Sequence, residues 1–171
     1  MAVKRIVWLT FIACLWLAAT ALISRGKIAK QVFTTGYIGH FSSTQTNDLR
    51  FKLPPAQGFG FLLVTTNGPP QGSVTIRSGQ AEAIERFEPA QLIDATGWIA
   101  GESRPTYLLP HGTNSSRLLG SAAQTGSEVH CQFVWASTPT CRGEVHLGFR
   151  QSLAALESGE TVQRIRQERH P

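Results

Sequence analysis

Eighteen consecutive residues, 6–23, carry no charge, and that run constrains the chain before any other feature. As a helix at 1.5 Å per residue it is about 27 Å long, close to the hydrocarbon thickness of a bilayer. Lys4 and Arg5 precede it, and Ser24, Arg25 and Gly26 follow, the layout of a secretory signal or a membrane anchor. Cleavage has a small-x-small match at Ala19-Thr20-Ala21. Leu22 and Ile23 carry the apolar run past that point, which suits an uncleaved anchor better. Cys14 does not read as a lipidation site, because only about five apolar residues precede it and the apolar core continues beyond.

Charge does little to orient the segment. Lys4 and Arg5 on one side face Arg25, Lys27 and Lys30 on the other, so the lysine and arginine rule is nearly tied. The short leader, and two cysteines that an oxidising compartment could join, point the body to the exported side, the periplasm or the extracellular space. Those five flanking charges also account for the whole formal excess of +5, since residues 31–171 hold eleven basic and eleven acidic side chains. A neutral body argues against a nucleic-acid partner, which needs a basic face for its phosphates.

Beyond residue 24 the sequence has the size of one domain and the patterning of β structure. Leu49, Phe51 and Leu53 alternate with Arg50 and Lys52 until Pro54-Pro55 stops the run, the pattern of a half-buried strand. Phe59, Phe61 and Leu63 share a face, with Gly58 and Gly60 opposite, before the turn Asn67-Gly68-Pro69-Pro70. Residues 80–88 lean towards a strand, and residues 116–119 are a further candidate. The expected class is all-β, an antiparallel two-sheet sandwich or jelly-roll-like domain preceded by one N-terminal hydrophobic helix. The expected divisions are the signal or anchor at 1–24, a basic juxtamembrane linker at 25–30, the sandwich at 31–156, and a polar tail at 157–171 that is frayed helix or disordered.

The last two core strands, 128–136 and 144–149, pose a choice. If they form one regular hairpin, even register pairs Cys131 with Val145 and sets Cys141 about 16 Å away, beyond disulfide reach. If one strand ends near Cys131 and the next starts near Cys141, a Cys131–Cys141 disulfide closes the intervening loop. The hairpin register would also set His130 opposite His146, a pair still short of a third ligand. No metal site and no cofactor site is therefore expected.

Catalytic motifs are absent from the sequence. Gly101-Glu102-Ser103-Arg104-Pro105 lacks the closing glycine of a nucleophile elbow, and Gly58-Phe59-Gly60-Phe61 reads as glycines packing against large neighbours rather than a dinucleotide loop. The carboxylates Glu82, Glu85, Glu88 and Asp94 would matter to a hydrolase only if they met His40 or His111 in one cleft. Trp98 and Tyr107 are the aromatics available to a ligand face, although a core role suits them as well, whereas Trp135 has core parity. Asn114-Ser115-Ser116 would accept a glycan in a eukaryotic secretory pathway. The expected function is a membrane-anchored or secreted, non-catalytic binding or structural module. Its partners would be the membrane through residues 6–23 and a protein or glycan ligand; an inhibitor of an envelope enzyme or toxin is one such module. The alternative is a hydrolase on the same scaffold.

Overall fold

The computed structural model describes residues 31–42, 44, 47–136 and 141–164; the expected N-terminal hydrophobic helix and the linker lie outside the described residues. Two antiparallel five-stranded sheets face each other as a β-sandwich. The first runs β1 (Gln31–Ser42), β9 (Arg142–Ser152), β3 (Gln57–Thr65), β7 (Thr106–Leu109) and β6 (Ile93–Asp94). The second runs β10 (Gln163–Arg164), β2 (Asn47–Lys52), β8 (Glu128–Trp135), β4 (Gly72–Ser78) and β5 (Ala81–Phe87).

Strand alternation builds the core. Phe59, Phe61 and Leu63 of β3 and Val145, Leu147 and Phe149 of β9 face inward. They meet Leu49 and Phe51 of β2 and Val129, Cys131 and Phe133 of β8 from the other sheet. Removing such side chains from water is worth roughly 1.5–3 kcal/mol each. A run of aromatic contacts crosses this layer. The Phe133 ring stands edge-on to Phe61 at 5.7 Å and lies parallel to Trp135 at 5.5 Å, and Trp135 stacks on Phe41 at 4.2 Å.

Residues 116–119 do not form the expected strand. They lie in helix α1 (Thr113–Thr125), which links the first sheet to the second and buries Ser115, Leu118, Leu119, Ala122 and Ala123. That spacing of three and four repeats over the whole segment, so the four-residue window around Leu118 and Leu119 was too short to show the helical period. Gly126, at φ 66, ends the helix in the left-handed region that suits glycine. The start is capped from a distance. The Gly112 N–H and the buried Ser115 hydroxyl both donate to Oε1 of Glu85 on β5, the first at 2.8 Å, so a carboxylate sits where the helix dipole favours negative charge.

The cysteines and histidines correct the hairpin reading. β8 is paired along one edge with β2 and along the other with β4, which leaves no edge for β9. The chain therefore crosses between sheets after Trp135, and β9 pairs with β3. Cys131 is held in the second sheet opposite Leu49 and Ile76, while Cys141 just precedes β9 in the first. No disulfide joins them, and both thiols are buried. Burial pushes both thiols up from their ordinary range, Cys131 most strongly, with an opposing backbone hydrogen bond from Asn67 at Cys141. His130 and His146 are likewise on different sheets: His130 approaches Asp48 at 3.3 Å, and His146 approaches Glu144 at 3.1 Å.

The strand after Leu147 continues to Ser152 and turns into α2 (Leu153–Glu157), which the Ser152 hydroxyl caps by accepting from Ala155 N–H. Inside the segment read as a polar tail, β10 adds two residues to the free edge of β2, and Val162 packs on the core.

Candidate functional site

The outward face of the first sheet holds a developed concavity. β3 and β9 pair with Gly60 opposite Gly148, and both have the parity that points away from the core. Side chains there would fill the space: a Cβ on Gly148 would come 2.7 Å from Phe33 Cζ, and one on Gly60 would come 2.8 Å from Leu108 Cδ1. The paired glycines thus form the floor of a cleft of about 660 Å³, lined also by Phe33, Phe59, Trp98, Leu108, His111 and Arg150. That volume is within the range of small-molecule sites.

Its walls come from distant parts of the chain. Phe33 stands on β1, and Trp98 arrives on the segment joining β6 to β7, where Gly97 adopts φ 86 and the Trp98 N–H donates to Ala95. The two rings meet edge to face at 5.6 Å, yet they remain 43% and 48% exposed, so solvent reaches the aromatic rim. Nδ1 of His111 is buried with no hydrogen-bond partner. Arg150 is exposed at the rim, and no carboxylate among the described residues forms an ion pair with it.

A charged clamp holds the Trp98 segment on the sheet. The Arg104 guanidinium grips Glu102 with two nitrogens, at 3.0 and 2.5 Å, and donates to Glu144 on β9 at 2.8 Å. Glu144 in turn meets His146, whose ring lies edge-on to Tyr37 at 5.3 Å. Hydrogen bonds from Arg104 hold the Glu102 carboxyl down at about 2 and pull Glu144 below its ordinary value, His146 adding to the second effect. Both folded values are lower than the unfolded ones. Their stabilisation is complete above the ordinary glutamate value of 4.5 and is lost as pH falls towards about 2. Arg104→Ala is expected to lower the melting temperature by a few degrees at pH 7 and to melt like the parent only below about pH 2. Thermal melts across that range check it, and a gap that persists in acid contradicts the clamp.

The sequence candidates scatter. Trp98 lies in the cleft, whereas Tyr107 is in register with Leu63, at core parity, and is not among the cleft residues. Glu82 pairs with Arg77, Glu85 caps α1, Glu88 caps the short turn Pro89–Gln91, and Asp94 accepts from Thr96 N–H at 2.9 Å. His40 lines a shallower hollow with Arg104, Arg142 and Glu144, and His111 lines the main cleft, so the carboxylates first considered do not meet them. Among the described residues no group of three or more histidines, cysteines or carboxylates is placed to hold a metal ion. Sequence reading missed Phe33, Gly148, His111 and Arg150 as one site. Only the unusual Gly58-Phe59-Gly60-Phe61 spacing hinted at it. No known family, curated protein or solved structure gives a significant match.

Proposed function

We propose that this chain is a non-catalytic binding module of the cell envelope, anchored through residues 6–23 on the exported side of the membrane, that takes its ligand in the glycine-floored cleft. The observation that carries this reading is the cleft itself: an apolar trough opened by Gly60 and Gly148, with aromatic walls and two polar groups, His111 and Arg150. Such a lining supplies area and orientation, the two requirements of ligand binding. The Arg104 clamp supports it, because a binding loop tied to a strand arrives already ordered.

The test uses the full chain with Trp8→Phe and Trp16→Phe, held in zwitterionic nanodiscs and titrated with 8-anilino-1-naphthalenesulfonate, an aromatic anion. Energy transfer to the dye is expected to saturate, to fall in Trp98→Phe, and to require about tenfold more dye in Gly148→Val. Indistinguishable titrations of the parent and Gly148→Val would remove the cleft as the ligand site.

One observation favours the hydrolase reading, the Glu144–His146 carboxylate–imidazole pair. The ring that His146 meets besides Glu144 is Tyr37 rather than an aliphatic hydroxyl or a thiol, and the binding reading is therefore preferred.

A further inference from the structure

We infer that the occupant of the cleft is an acyl chain of an anionic phospholipid belonging to the bilayer in which the chain is anchored. The inference rests on the binding reading above and names its ligand. Three observations converge on it.

The first is shape and polarity. Phe33, Trp98 and Leu108 offer hydrocarbon and ring surface over a floor without side chains, and the main chain of that floor is consumed in the β3–β9 ladder. A peptide laid there would leave its own N–H and C=O groups unpaired, a cost an acyl chain does not incur. The second is charge. Arg150 stands at the rim without an acidic partner among the described residues, and Arg25, Lys27 and Lys30 follow the apolar run in sequence. Cations in that setting draw anionic headgroups.

The third is reach. Phe33 lies ten positions after Ile23, the last residue of the apolar run, a tether of at most about 35 Å when fully extended. Exposed tryptophan and phenylalanine on so short a leash match the aromatics that settle at the headgroup level of membranes.

The experiment keeps the full chain with Trp8→Phe and Trp16→Phe and reads Trp98 fluorescence as the difference from the Trp98→Phe variant. Vesicles of phosphatidylcholine alone, or mixed with phosphatidylglycerol, carry bromine on their acyl chains; a separate arm adds a brominated fatty acid below its micelle concentration to unbrominated phosphatidylcholine vesicles. Trp98 quenching is expected in the phosphatidylglycerol vesicles. It should weaken about fivefold in lipid dependence with Arg150→Glu and be lost in Gly148→Val. Gly60→Val fills the same floor from β3 and serves if the first variant fails to fold. Absence of Trp98 quenching, quenching by the free fatty acid alone, or equal quenching in both vesicle types overturns the inference. In each of those cases saturable dye binding leaves the module reading standing, and loss of dye binding removes both.

Discussion

Phe133→Ala lowers the unfolding free energy by about 3–5 kcal/mol, the usual range for deleting a buried aromatic ring. Phe133 has no exposed surface and touches Phe61 of the opposite sheet and Trp135 of its own. The loss therefore combines lost transfer energy with a cavity where aromatic contacts join the sheets. Trp135, parallel to Phe133, stacked on Phe41 and edge-on to Phe87, loses one of its three neighbouring rings. Guanidinium unfolding followed by circular dichroism gives the difference, and a loss under about 1 kcal/mol would mean that the layer repacks without that ring.

Gly143→Ala is the second large effect, and it comes from backbone rather than side chain. A Cβ at Gly143 would run into the Val64 carbonyl oxygen and would stand 2.8 Å from the Phe41 ring. The carbonyl belongs to the β3–β9 ladder, in which Gly143 sits opposite Thr65, so it cannot yield without opening the pairing. A cost of about 3 kcal/mol is expected, the upper end for volume added to a packed region. Gly148→Ala provides the contrast. Its new methyl meets the tip of the Phe33 ring, itself half-exposed, and only touches Leu62 Cδ1 at 3.4 Å, and the change should stay within about 1 kcal/mol. Melting temperatures of the two variants side by side decide the matter; equal losses would show that the ladder at Gly143 bends freely.

Strand faces were legible in the sequence because side-chain direction alternates with a fixed period of two. Leu49, Phe51, Phe59, Phe61, Val129 and Phe133 all fall inward as the alternation requires, and β5 forms with Ile84 turned outward and 59% exposed. Pairing partners were not legible, because alternation says which way a side chain points and nothing about which strand lies alongside. The adjacent runs 128–136 and 144–149 left a hairpin open as one of two arrangements, yet β2 and β4 take both edges of β8. The same gap explains the cysteines, whose separation depends on sheet membership rather than spacing. The cleft was hidden for a related reason. Its walls are Phe33, Trp98 and Arg150, and no local window contains two of them.

The order of strands carries a consequence for how the domain comes to exist. β3, the middle of the first sheet, finds one neighbour only in β9, and β8, the middle of the second, pairs with β2, so that Leu49 meets Cys131. Contacts this distant along the chain must wait for large loops to close, which places such topologies among the slow folders, in milliseconds to seconds. A chain emerging from its amino end cannot complete either sheet until residues 128–152 are free. Until then its hydrophobic strands stay open, and the nascent chain behaves as an unfolded polymer.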